Sequence, residues 1–185
     1  GNRCVAEIQF CDYIFNTIDL LKLAGNTSWC SNGNFNMPIV VMTPVGSGIH
    51  GSVYHSHSFD AWASRIPGWK VVMPSTPLDA YGLMLSAIED PNPVMYLISK
   101  GLMRARGEEL IPGEPASDKE LRDMIDAPVE VKARATWKAK WPKLQKYMVP
   151  IGKAKHVREG STATVVSYGR QMPLVTQIAD KLRAE

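Results

Sequence analysis

The chain has 185 residues, a formal net charge of +3, 45% hydrophobic and 21% charged residues. That is the composition of an ordinary folded protein, so disorder, collagen and coiled coil are poor readings. The small charge gives no argument for nucleic acid or an anionic membrane as partner, and no apolar run nears the ~20 residues that span a bilayer.

The opening, GNRCVAEIQFCD, shows no basic segment followed by a clean apolar one, so no signal peptide is expected. It also lacks an initiator Met, which suits a processed chain or a fragment. Cys4, Cys11 and Cys30 are odd in number and form no CxxC pair, so they read as small buried apolar residues in a reducing compartment. Residues 3–10 read as a strand, and residues 12–24 as a helix with Tyr13, Ile14, Ile18 and Leu21 on its apolar side and Leu20 at its border. Residues 25–36 are rich in Asn, Ser and Gly and are expected to form a loop. The run PIVVM at 38–42 suits a strand buried on both faces, and PVGSGIHG at 44–51 a glycine-rich turn.

The stretch from Trp69 to Ile98 carries the clearest signals. WKVVM at 69–73 reads as a strand. Thr76 is a good N-cap, Pro77 suits the first helical position, and the helix then runs to about Glu89. Asp90-Pro91-Asn92-Pro93 ends it, and VMYLI at 94–98 is the next strand. Strand, helix and strand with short connections make a βαβ unit, so the fold class is α/β with a mostly parallel sheet and helices on both faces. Residues 105–148 change character: 108–130 are mostly acidic, 132–146 basic, with Trp137 and Trp141. They are expected to form a charged insert or linker of one or two helices, opposite charges facing each other and the Trp rings packed on the body. Residues 149–185 restart the pattern, with a strand at 162–167 and a helix at 172–184 that read as the beginning of a second α/β domain.

Two clusters could carry chemistry. His50, His55 and His57 lie within eight residues on the glycine-rich stretch. No Cys lies near and Asp60 is the only adjacent carboxylate, so the spacing argues less for a metal than for an acid/base imidazole beside a parallel sheet, and a histidine with a structural role is the plainer alternative to both. AEIQFCDYIF at 6–15 places Glu7, Gln9 and two aromatics where a strand ends and a helix begins, which is where open α/β sheets bind ligands.

AEIQFCDYIF, GxGxHGxxYHSxS, PGWKVVMPSTPLDAYGL and IEDPNPV, in this order, resemble the β subunit of a thiamine-diphosphate-dependent 2-oxo acid dehydrogenase E1 component, with the branched-chain type nearest and the pyruvate type similar. The resemblance covers about 1–104 and resumes at about 149–185. It implies that residues 1–104 are the C-terminal part of a pyrimidine-binding domain and that 149–185 begin a transketolase C-terminal-like domain. It implies an enzyme that decarboxylates a 2-oxo acid and passes the acyl group to lipoamide, with thiamine diphosphate as the electron sink. A partner, an E1 α subunit or a fused α-like domain, would bring Mg²⁺ and the diphosphate site marked by a GDG motif, which this sequence lacks. A second β copy and a lipoyl-bearing E2 complete the implied assembly.

Carried over by position, Tyr13 packs on the aminopyrimidine, Gln9 lies near that ring, and His55 is the catalytic imidazole. A monovalent cation site, K⁺ in the family, falls on Met37, Ile39, Val40, Ala87, Asp90 and Asn92, mainly through backbone carbonyls, which suit a hard ion. There are departures. The family's catalytic Glu would precede this chain, and Glu7 is not its equivalent. The family has Arg where Met42 stands and Gln where His57 stands, and its connection is shorter than residues 107–146. The polypeptide alone is therefore expected to be inactive. The alternatives are a non-catalytic interaction module of the same fold, or another transketolase-like thiamine-diphosphate enzyme. Reduced cysteines fit a bacterial cytoplasm, or a mitochondrial matrix if the source is eukaryotic.

Overall fold

Four parallel strands form the centre of the molecule, in the order β1-β2-β4-β3. They are β1 (Cys4–Glu7), β2 (Ile39–Val45), β3 (Lys70–Val72) and β4 (Val94–Ser99). The structure is a computed structural model, and it describes residues 2–48, 51 and 55–184. His50 and Tyr54 of the glycine-rich stretch lie outside the described residues.

The continuous apolar runs work because the sheet is covered on both faces at β2 and β4, while the edge strand β1 is exposed. On one face Val41, Val45, Met95 and Leu97 pack against α1 (Ile18–Cys30) and against Phe59, Ala63, Ile66 and Trp69 around the short α2 (Asp60–Ala63). On the other face Val40, Val72, Val94 and Tyr96 pack against Ala87, Leu83 and Ile88 of α3 (Pro77–Glu89). The strand β4 alternates between the two, as its period of two requires. The cap at Thr76 is as expected: the Asp79 N–H donates to Thr76 Oγ1 at 3.1 Å, and Pro77 opens the helix. β3, α3 and β4 form the anticipated βαβ unit.

Several local expectations differ from the structure: of the cysteines expected to be buried, Cys11 is interior but Cys4 and Cys30 are exposed. The segment after Phe10 first winds as a 3-10 helix, Cys11–Thr17, and α1 then runs straight through Gly25 to Cys30 where a loop was expected. Gly25 is there for contact rather than for a break. A Cβ at this position would overlap the Pro67 carbonyl and the Trp69 ring. Ser28 stays helical because it faces the core and donates to Asn92 Oδ1 at 3.2 Å.

The insert holds α4 (Asp118–Ile125), capped by Ser117, and the single turn α5 (Val131–Arg134). Its opposite charges do not close on each other as expected. Arg106 pairs with Asp118, and Lys146 reaches Glu89 on α3. Trp141 is 74% exposed, so it is not packed on the body. The segment that does pack is 145–149. It lies along α3 through Tyr81 Oη to the Gln145 carbonyl (3.0 Å) and Ser86 Oγ to the Val149 carbonyl (2.6 Å). Gly82 permits this approach, since a Cβ there would meet Val149 and Tyr147.

Residues 162–167 have no ladder partner among the described residues and are not a strand. Val165 and Val166 are exposed. A strand is defined by its neighbour, and apolar β-branched residues alone do not make one. The helix that follows is α6 (Gln171–Ala184). Just before it, Tyr168 Oη donates to Asp60 Oδ2 at 2.7 Å, and Arg170 Nη1 at the edge of the turn donates to Ser47 Oγ at 2.6 Å. These bonds fasten the last part of the chain to the first.

Candidate active site

The carboxyl ends of β1 and β4 and the return from the glycine-rich stretch converge on His55. Its ring stacks on Phe10, with centroids 4.1 Å apart and planes 21° from parallel. Tyr13 meets the same imidazole edge-on at 5.7 Å. On the polar side, His55 Nδ1 lies 3.3 Å from Asp12 Oδ2. The backbone below is held as well: the buried Lys100, just past β4, donates from Nζ to the His55 carbonyl. The Lys100 ammonium also lies 5.6 Å from the centre of the Phe10 ring, within cation–π range.

His57 turns its imidazole to the same carboxylate, with Nδ1 2.7 Å from Asp12 Oδ1. Its carbonyl accepts from the Gly46 N–H at 2.7 Å and from the Cys11 thiol at 3.0 Å. Burial first, and then the adjacent Asp12, push the Cys11 thiol up to about 11, so at neutral pH it is a donor and not a nucleophile. Tyr13 and Gln9 stand out to solvent, Tyr13 at 44%. The site is thus an open aromatic ledge backed by a clamped imidazole. A separate cavity of about 450 Å³ lies between Asp60, Ser64, Val71, Met73 and Tyr168, away from these groups.

The structure therefore brings His55 and Tyr13 together, with Gln9 two residues beyond β1 on the same approach. Sequence reasoning missed Phe10, Asp12 and Lys100. Phe10 and Asp12 lie inside the motif AEIQFCDYIF, but nothing in their local sequence assigns them a role. Lys100 had one signal, a lysine directly after the buried run VMYLIS.

The six positions expected to hold a monovalent cation form a second cluster at the amino-terminal edge of the sheet. The Met37 N–H donates to the Pro91 carbonyl at 3.0 Å and joins its two halves. Cationic side chains already serve this cluster. Arg3 Nη1 donates to the carbonyls of Ile88 (2.7 Å) and Asp90 (2.9 Å), and Lys70 Nζ pairs with Asp90 Oδ2 at 2.6 Å. Asp90 Oδ1 accepts from both the N–H and the side-chain amide of Asn92. Burial alone would raise the Asp90 carboxyl, but Lys70 and Asn92 outweigh it and hold the group below the usual carboxylate range. No group of three or more His, Cys, Asp or Glu among the described residues is arranged to hold a metal ion, and no helix there is long and apolar enough to cross a membrane.

Residues 1–106 match the family described as transketolase, pyrimidine binding domain. The chain is 36% identical, over 100% of its length and 47% of the relative's, to 2-oxoisovalerate dehydrogenase subunit beta of Bacillus subtilis. It is 35% identical to the mitochondrial 2-oxoisovalerate dehydrogenase subunit beta 2 of Arabidopsis thaliana, over 96% of the chain and 41% of that protein. It is 36% identical to the pyruvate dehydrogenase E1 component subunit beta of Acholeplasma laidlawii, over 100% of the chain and 47% of that protein. The chain spans about half the length of the curated relatives it matches.

Proposed function

The chain belongs to the transketolase pyrimidine-binding domain family, and from that premise we propose that it forms the pyrimidine side of a thiamine diphosphate site in a 2-oxo acid dehydrogenase E1 component. The substrate is a branched-chain 2-oxo acid or pyruvate, and the acyl group passes to lipoamide. The observation that carries this reading is His55, clamped between Phe10, Tyr13 and Asp12 at the carboxyl end of a parallel sheet.

The residues present fit the aminopyrimidine end of the cofactor. Tyr13 offers an exposed aromatic face and Gln9 an exposed amide. A nearly buried Asp12 oxygen beside them has no well-directed hydrogen bond, a mark of a polar site rather than of core. When bound, thiamine diphosphate supplies the nucleophilic carbon and the electron sink for loss of CO₂. Tyr13 gives that ring an apolar surface, Gln9 orients it, and His55 holds or moves a proton near the reacting carbonyl.

The diphosphate and Mg²⁺ fall to an E1 α subunit or a fused α-like domain, since this sequence has no GDG. A second β copy and a lipoyl-bearing E2 complete the assembly. K⁺ at the Met37, Ile39, Val40, Ala87, Asp90 and Asn92 cluster is part of the same reading. It draws there on main-chain carbonyls, because the Asp90 carboxylate is already engaged. The same reading divides the chain at about 104 and 148, and the free cysteines support a reducing compartment, a bacterial cytoplasm or a mitochondrial matrix.

The test is reconstitution of the full-length chain with its α partner, thiamine diphosphate and Mg²⁺. Release of CO₂ from 2-oxoisovalerate or pyruvate and acyl transfer to lipoamide are expected. A complete assembly that binds the cofactor yet turns over neither acid would refute the reading.

A further inference from the structure

Asp12 is nearly buried, with 7% of its side chain exposed, and two imidazoles face it. Oδ2 is 3.3 Å from His55 Nδ1 in hydrogen-bonding geometry. Oδ1 is 2.7 Å from His57 Nδ1, close enough for an ion pair but not aligned for a linear hydrogen bond. His57 is 56% exposed, so a small rotation of its ring completes that bond. An ionised carboxylate only accepts, so a nitrogen that bonds to it must carry hydrogen. For His55 this places a hydrogen on Nδ1, so that whenever the ring is neutral it is the Nδ1–H tautomer, with Nε2 as the basic atom. The ring has little freedom to evade this choice. Phe10 stacks on one face, Tyr13 stands nearly perpendicular to the ring at 5.7 Å, and Lys100 grips the carbonyl of the same residue. The Cys11 thiol, next to Asp12 in the chain, bonds to the His57 carbonyl at 3.0 Å.

We propose that Asp12 is the positioning residue of this site: it fixes His55 with Nδ1 protonated and so assigns proton transfer to Nε2, while His57 shares the carboxylate from the solvent side. The proposal rests on the reading of His55 as the catalytic group.

The experiment is ¹⁵N solid-state NMR of histidine-labelled, fully assembled enzyme, with His55→Ala used to assign the His55 signals. The wild type is expected to show neutral His55 protonated at Nδ1. Asp12→Ala should populate the Nε2-protonated form and lower kcat by about 10–100-fold with KM changed less than about twofold, the scale seen when a carboxylate orienting a ligand imidazole is removed. Asp12→Asn keeps the side-chain shape and guards against a folding failure. Its amide can accept from only one of the two rings, so mixed tautomers are expected. His57→Gln should keep the wild-type tautomer, because its amide can donate to Oδ1. An unchanged His55 tautomer in both Asp12 variants overturns the proposal, even where His55→Ala is inactive. A fully active His55→Ala enzyme overturns the functional reading and the proposal with it, and the spectra tell the two failures apart.

Discussion

The indole Nε1 of Trp69 donates to the Leu21 carbonyl at 2.7 Å in the interior, and so ties the start of β3 to the first turn of α1. The same indole lies against Gly25, one turn further along that helix. Helix and strand therefore meet at a point where neither a methyl group nor a lost donor is tolerated. Gly25→Ala is expected to destabilise the full-length protein by about 1–3 kcal/mol through overpacking. Urea unfolding followed by Trp fluorescence measures this. A midpoint equal to or above the wild type would show that the helix can move away.

His55→Ala in the complete enzyme is expected to lower turnover by roughly 10²–10⁴, the usual contribution of a positioned acid or base. Thiamine diphosphate binding, followed by calorimetry, should change much less, because Tyr13 and Gln9 remain. Equal rates for variant and wild type would remove His55 from the chemistry.

The Lys70–Asp90 pair makes stability depend on pH in a fixed direction. The Asp90 carboxyl is held below its ordinary value, so its contribution is complete above the unfolded value of about 4 and is lost as pH falls through the folded one. Lys70→Met should flatten the acid limb of a plot of unfolding free energy against pH. The plateau near neutrality should drop by no more than about 1 kcal/mol, because Lys70 is partly exposed. An acid limb as steep as in the wild type would assign the dependence to other carboxylates.

Removing K⁺ tests the cation cluster. At a concentration of about 100 times the dissociation constant, a bound ion adds about 2.7 kcal/mol to the folded state. Exchange of K⁺ for choline should lower the thermal midpoint of the full-length protein, and Arg3→Met should increase the drop by removing the cation already on the Asp90 carbonyl. A midpoint indifferent to K⁺ in both proteins would mean that Arg3 and Lys70 are the only cations the cluster uses.

The elements legible from sequence were those set by near neighbours. Thr76 and Pro77 announce α3 within four residues, and continuous apolar runs announce β2 and β4. Gly25 misled because its reason lies more than 40 residues away, at Pro67 and Trp69. Val165 and Val166 misled because a strand needs a partner that their own composition cannot supply. The site divides in the same way. His55 and Tyr13 were visible through their motifs. Asp12 and Lys100 gained meaning only when the fold brought their polar atoms to a single ring from separate elements.

β4 carries a last consequence. Val94 and Tyr96 face α3 while Met95 and Leu97 face α1, so both sides are equally greasy. A slip of one residue would exchange the faces without exposing an apolar side chain, and burial alone therefore guards the alignment poorly. Polar groups must act as the key. The Lys70 N–H takes the Pro93 carbonyl at 3.0 Å, the Lys70 ammonium locks onto Asp90, and the Tyr96 hydroxyl finds the Ala80 carbonyl at 2.7 Å. An ion pair between a partly exposed ammonium and a nearly buried carboxylate at the foot of the sheet is thus one of the bonds that favour this strand alignment, and the alignment sets where β4 delivers Lys100 beneath His55.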